Sequence, residues 1–310
     1  ATVTPFNTIT LTSGAGTNAQ TVCLGDVLTT ITYTTTGATG ASFTGLPSGL
    51  SVSWAGNTVT ISGTPTSVGD FTYNIDLSGG CGLISETGTI SVKGPNSITL
   101  SSALGTDGQT VCNNSAITDI TYSTVSATGA TVSGLPTGVN GVWASDVFTI
   151  SGTPTVTGTF PYTITTTGGC GVASASGSIT VNPLLPVSVS ISADVNPICA
   201  GSTVTFTATP TNGGLTPSYQ WYNGATAVGG NSPTYAYVPS NGDVITVVLT
   251  GSETCQSGSP ATSNAVTMTV NPVLPVSVSI SADVNPICAG STVTFTATPV
   301  NGGTTPSYQW

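Results

Sequence analysis

The sequence contains no histidine and no arginine, and Lys93 is its one basic side chain. Without clusters of Lys and Arg there is no electrostatic footprint for nucleic acid, and a formal charge of -10 repels phosphate backbones and anionic lipid alike. No nucleic-acid partner is expected. The missing histidine removes the base that serine and cysteine triads need. With no C-x-x-C pair either, zinc sites are excluded as well. No apolar run approaches the roughly 20 residues of a membrane helix, so this segment is read as containing no membrane span. No basic stretch followed by an apolar one opens the chain, and Ala1 reads as an internal or processed start. Helix formers are scarce: there is one Met and only 4% of residues are charged.

What remains is a vocabulary of short strands and turns, dominated by Thr, Ser, Val and Ile and punctuated by 39 Gly and 20 Pro. Hydrophobic residues make up 38% of the 310 residues, enough for several cores. The seven cysteines point to an oxidising compartment. An odd number leaves at least one without an internal partner.

The chain repeats itself. Residues 277–310, SVSISADVNPICAGSTVTFTATPVNGGTTPSYQW, nearly duplicate residues 188–221, an interval of 89 residues. The same interval carries Cys23 to Cys112, Trp54 to Trp143, Cys81 to Cys170, and ISGTP at 61–65 to ISGTP at 150–154. Four modules are read on this period. Residues 1–93 and 94–182 are of one type, residues 183–271 are of a second type, and residues 272–310 are the truncated start of another module of that second type. Near-identity of the last two points to recent duplication within a longer parent chain, and half a sandwich cannot bury its inner face.

Within each copy the apolar pattern has period two. Val204, Phe206 and Ala208 alternate with threonines, and Phe71, Tyr73, Ile75 and Leu77 alternate with Thr72, Asn74 and Asp76. Six or seven such runs per copy, separated by turn residues, predict an all-β fold of antiparallel sandwiches. Short joints such as Lys93-Gly94-Pro95 and Val181-Asn182-Pro183 predict a semi-rigid array joined end to end, at about 35 to 45 Å per module.

The stretch GLPSGLSVSWAGNTVTISGTPTSVGDFTYNIDLSGGCG resembles the immunoglobulin-like modules of bacterial surface proteins, whose signature pairs a GLP-x-GL turn with ISGTP. The later copies, with C-x-G-x-x-V-x-F from Cys199 and Y-x-W-Y from Tyr219, resemble the PKD-like and immunoglobulin-like repeats of Bacteroidetes exported proteins. Long proteins of such modules include gliding-motility adhesins of the SprB type, exported by type IX secretion. The resemblance implies an immunoglobulin-like β-sandwich array at the cell surface, and brings no active site.

In an immunoglobulin-like order the second and sixth strands run parallel, so a cysteine before one and a cysteine after the other lie at opposite poles. They are roughly 25 Å apart at about 3.3 Å per residue, whereas a disulfide needs Cα atoms within about 7 Å. Stacking modules head to tail brings the first cysteine of one beside the second cysteine of the next. Bridges Cys23–Cys170 and Cys112–Cys255 are therefore expected, with pairing inside modules (Cys23–Cys81, Cys112–Cys170, Cys199–Cys255) as the alternative. Cys81, Cys199 and Cys288 are left unpaired within this sequence on the first scheme.

The remaining candidates are weighed against ordinary packing. Asp70 and Asp76 share one face of a strand, as a glycosidase pair would, yet one period later those positions are Thr159 and Thr165. The carboxylates are dispersed; Asp194 and Asp283, near module poles, are weak calcium candidates, and no other cofactor is expected. Trp221 and Trp310 are read as core residues, and Trp54 and Trp143 are either core or sugar-stacking platforms. Asn113-Asn114-Ser115 matches a glycosylation sequon. The expected function is structural: a non-enzymatic stretch of an extracellular adhesin or filament giving reach and stiffness for surface attachment or gliding. Its expected partners are neighbouring repeats of the same chain, surface polysaccharide or other cells. A carbohydrate-binding array and a spacer within a secreted hydrolase are the alternatives.

Overall fold

The computed structural model describes Val3 and residues 5–310, and among them every regular element is a strand. The chain forms two compact units, Ala1–Pro183 and Leu184–Trp310.

The first unit holds two sandwiches. In the first, β1 (Thr8–Leu11), β3 (Ile31–Thr36), β6 (Thr58–Gly63) and β5 (Leu50–Ala55) form one sheet in the order β1-β3-β6-β5. β2 (Ala19–Cys23), β8 (Ile84–Lys93), β7 (Gly69–Ser78) and β4 (Gly40–Thr44) form the other, in the order β2-β8-β7-β4. All pairs are antiparallel except β2 with β8. Lettered by chain position, the sheets read ABED and A′GFC, the immunoglobulin arrangement. The second sandwich repeats it with β9 (Ser97–Leu100), β10 (Gly108–Cys112), β11 (Ile120–Val125), β12 (Gly129–Ser133), β13 (Val139–Ala144), β14 (Val147–Gly152), β15 (Gly158–Thr167) and β16 (Ser174–Asn182).

Alternation decides which face is buried. Tyr73, Ile75 and Leu77 of β7 point into a core with Ile31, Tyr33, Val59, Ile61, Ile90 and Val92. Thr72 on the same strand faces solvent. The two halves of the sequence signature are contact partners: the Thr66 N–H donates to the Ser48 carbonyl at 2.8 Å, and the Thr64 N–H donates to the Gly49 carbonyl at 3.2 Å. Gly49 has φ 89°, and a Cβ there would lie 2.2 Å from the Thr64 carbonyl oxygen, so the GLP-x-G turn can cross the ISGTP strand end only at a glycine. One period on, Gly138 meets Thr153 in the same way.

Each of these two sandwiches has eight strands rather than the expected six or seven. The first edge is split at Ser13–Asn18, where β1 leaves one sheet and β2 joins the other. Strands of four and five residues flanking a glycine-rich break are too short to show in the alternation.

The second unit contains a third sandwich. Its strands are β17 (Leu185–Pro186), β18 (Ser188–Ala193), β19 (Ile198–Cys199), β20 (Val204–Thr211), β21 (Ser218–Asn223), β22 (Thr226–Val228), β23 (Thr234–Tyr237), β24 (Val244–Thr250), β25 (Gln256–Ser257), β26 (Ala261–Thr262), β27 (Val266–Thr267) and β28 (Val270–Asn271). One sheet runs β18-β20-β23 and the other β22-β21-β24-β26, with β27 also on β24. Trp221 on β21 is 0% exposed between them, near Phe206 and Tyr235, and its Nε1–H donates to the Ser232 carbonyl at 2.9 Å.

Residues 272–310 form only the hairpin of β29 (Ser277–Ala282) and β30 (Phe295–Val300). This corrects the reading of Trp310 as core: it is 71% exposed. Trp221 is enclosed by strands such as β23 and β24, and residues 272–310 supply no counterpart of either.

Candidate functional site

The chemistry of this chain concentrates at the seam inside the first unit. Cys23 ends β2 and is level with Lys93 at the end of β8, while Gly69, at the start of β7, pairs with Val92. Cys23 thus sits at the pole where the chain leaves the first sandwich. Cys81 follows the far end of β7, at the opposite pole. In the second sandwich Cys170 follows β15 and accepts the Asn96 N–H at 2.7 Å through its carbonyl, at the pole where the chain enters. The two facing poles are joined by a disulfide between Cys23 and Cys170, with Cα atoms 5.5 Å apart and 147 residues between them in sequence.

Pairing inside modules does not occur. Cys170 is bonded to Cys23, so neither Cys23–Cys81 nor Cys112–Cys170 can form, and Cys199 is free, which removes Cys199–Cys255. The reason is polar separation: the ten residues of β7 span about 33 Å at strand rise. Cys112 and Cys255 are each disulfide-bonded. Cys81, Cys199 and Cys288 are free thiols.

A cleft of about 690 Å³ opens beside the bridge, lined in part by Thr21, Asp26, Lys93, Ser126, Asp146 and Cys170. Lys93 does not face a carboxylate of the cleft but binds Asp70 at 3.2 Å. The Ser91 hydroxyl, and then Lys93, hold the Asp70 carboxyl below the usual carboxylate range. Both ends of the pair are solvated, so it adds little to stability.

The carboxylates are not brought together. Asp70 and Asp76 lie six residues apart on an extended strand, about 20 Å, far beyond the spacing of a glycosidase pair. Asp76 accepts from the Asn74 side chain at 2.7 Å. No group of three or more His, Cys, Asp or Glu side chains that could hold a metal exists among the described residues. Asp194 Oδ1 accepts the Thr205 N–H at 3.0 Å, and Asp283 Oδ1 accepts the Thr294 N–H at the same distance, so each carboxylate ties off a hairpin.

The tryptophans of the first unit turn out to be structural. Trp54 packs on the first core and donates its Nε1–H to the Thr35 hydroxyl at 3.0 Å; Trp143 does the same to Thr124 at 3.1 Å. Both threonines are buried. Sequence reasoning missed these threonines and the stacked hydroxyls of Tyr33 and Tyr73 (2.9 Å) and of Tyr122 and Tyr162 (3.1 Å). Their recurrence at the 89-residue interval was the available signal. Asn114 of the sequon has φ 63° in the loop after β10.

No protein-family model matches the chain, and no curated protein sequence matches it. Among solved structures, the titin I-band fragment I67–I69 aligns over 88% of this chain and all of its own at 12% identity, with a TM-score of 0.45. Sidekick-1 immunoglobulin domains 1–5 align over 85% of this chain and 58% of their own at 11% identity, with a TM-score of 0.41. An endo-fucoidan hydrolase of glycoside hydrolase family 107 aligns over 83% of this chain and 43% of its own at 13% identity, with a TM-score of 0.28. Likeness at this level carries no function, and the assignment of immunoglobulin-like sandwiches in tandem stands on the strand order itself.

Proposed function

We propose that this structural repeat segment belongs to a long extracellular adhesin or filament of the gliding-motility class, exported by a Bacteroidetes type IX system, and supplies reach and stiffness rather than catalysis. The modules of the proposal are residues 1–93, 94–182, 183–271 and the start of a fourth at 272–310. The observation that carries the reading is the Cys23–Cys170 bridge, which spans two sandwiches instead of closing one. Such a bond persists in an oxidising compartment, and it routes tension across the seam through a covalent bond. A second staple, Cys112–Cys255, is part of the same proposal; both residues are disulfide-bonded. Having a single basic side chain suits a surface polymer that must not adhere to nucleic acid or anionic lipid. Its partners are the neighbouring repeats, and surface polysaccharide or other cells at the contact it projects.

The test is antibody labelling of intact producing cells with serum raised against this chain. Surface label that external protease strips away is the expected result. Label seen only after permeabilisation would sink the proposal.

A further inference from the structure

Two covalent connections cross the seam of the first unit. One is the backbone, where only Gly94, Pro95 and Asn96 stand between β8 and β9; the other is the Cys23–Cys170 bridge. Among the described residues no strand pairs across the seam. Cys23 is level with Lys93, the last residue before the joint, so the bridge and the joint leave the first sandwich side by side. The bridge also takes a long stretch of chain out of the path of tension. Every strand from β3 to β15 lies between the two cysteines. A pull along the chain crosses from Cys23 to Cys170 through the sulfur atoms, and of the two sandwiches only β1, β2 and β16 can then be drawn out.

The bridge is open to a reagent. Both cysteines line the cleft of about 690 Å³, and both line a second one of about 370 Å³ with Leu24, Pro95 and Gly171. Cys170 is 8% exposed and its N–H is held by Asn96 Oδ1 at 3.0 Å, whereas Cys23 is half-buried, so Cys23 is the sulfur to attack and Cys170 the one to leave. The approach is acidic. Asp26 lines both clefts and Asp146 the larger, while the one cation, Lys93, is bound to Asp70. An attacking thiolate that carries further anionic groups is repelled there more strongly than one that carries none.

We propose that the Cys23–Cys170 bridge is a redox-operated length switch, opened by a dithiol whose frame is uncharged. One thiolate of the dithiol attacks Cys23 Sγ, the Cys23–Cys170 bond breaks and Cys170 leaves as a thiolate. The second thiolate of the reagent then attacks its own sulfur in the mixed disulfide and releases the Cys23 thiolate. The bridge is reduced by two electrons, the dithiol is oxidised to a disulfide, and its two protons end on Cys23 and Cys170. Once open, the seam hangs on a joint of Gly94, Pro95 and Asn96, and the 147-residue span enters the path of tension. At about 3.3 to 3.6 Å per extended residue that span adds roughly 500 Å of reach. The tension in this picture rests on the filament reading, but the test reads a bond and a length in vitro and fails independently of where the protein resides.

The whole chain is tethered through its N-terminus and through an azide-bearing residue placed at position 183, and is held in optical tweezers at a force that unfolds the sandwiches. The oxidised parent should lengthen only by what the residues outside the bridge allow, and dithiothreitol should then add roughly 500 Å. Cys23→Ser with Cys170→Ser should reach the full length without reductant; the parent before and after reduction carries the test by itself if that variant does not fold. Compared at equal thiolate concentration and low salt, dithiothreitol should open the bridge about tenfold faster than 2,3-dimercaptopropanesulfonate. The gap should close as salt is raised and in Asp26→Ser with Asp146→Asn, the residues found one period away at Ser115 and Asn57. Full lengthening of the oxidised parent, a tether that stays short after dithiothreitol, or equal rates with the two dithiols at low salt would overturn the proposal.

Discussion

At the scale of single residues, the buried tyrosine pairs show how a core built on aromatics handles polar atoms. The Tyr33 and Tyr73 hydroxyls partner each other across the two sheets, and Gly88 is a glycine because a Cβ there would lie 2.2 Å from the Tyr73 hydroxyl. Tyr73→Phe strands the Tyr33 hydroxyl in the core, and the expected cost is about 1 to 3 kcal/mol, read as a lowered denaturation midpoint. Burial first, and then the partner hydroxyl, pushes the Tyr73 pKa well above the ordinary 10.0; burial also raises Tyr33, Tyr122 and Tyr162. A raised folded-state pKa favours the protonated form in the fold. The associated stability is complete below pH 10.0 and is lost as pH rises above it, because the unfolded chain ionises first. Tyrosinate absorbance of these pairs should therefore appear together with unfolding. Smooth titration near pH 10.0 in the folded protein would contradict it.

At the scale of elements, the β18–β20 hairpin is closed by Asp194, whose carboxylate accepts the Thr205 N–H while its own N–H donates to the Thr205 carbonyl at 3.0 Å. The Asp194 carboxylate thus has a hydrogen-bonding role inside the hairpin, beside which the calcium role expected from sequence can be tested. Asp194→Ala is expected to cost about 1 kcal/mol by thermal or urea denaturation, equally with and without a calcium chelator. A loss seen only when calcium is present would restore the metal reading. The strand patterns themselves were legible: Val204, Phe206 and Ala208 are buried as their alternation requires. The split edges β1/β2 and β9/β10 were not, because strands of four or five residues carry too few alternations to register against a glycine-rich break.

At the scale of the molecule, the Cys23–Cys170 bridge closes a loop of 147 residues, which on the chain-entropy account stabilises the fold by about 5 kcal/mol. Reduction is expected to lower the melting temperature of the first unit, and Cys23→Ser with Cys170→Ser should reproduce the effect without reductant. An unchanged melting temperature in that double variant would show that the bridge does not constrain the unfolded chain. No helix among the described residues is long and apolar enough to cross a membrane.

The sequence by itself determined the all-β class, the 89-residue period, the inward faces of β7, β15 and β20 and the core position of Trp221. Each of these follows from local alternation or from recurrence, which need no long-range contact to be read. Only the tertiary structure decided that Trp54 and Trp143 are hydrogen-bonded to buried threonines, that Asp70 and Asp76 stand apart, and that Asn7 lacks the partner Asn96 has. Those outcomes depend on which residues the two sheets and the two poles bring within a few ångströms of one another, and identical local patterns permit either result.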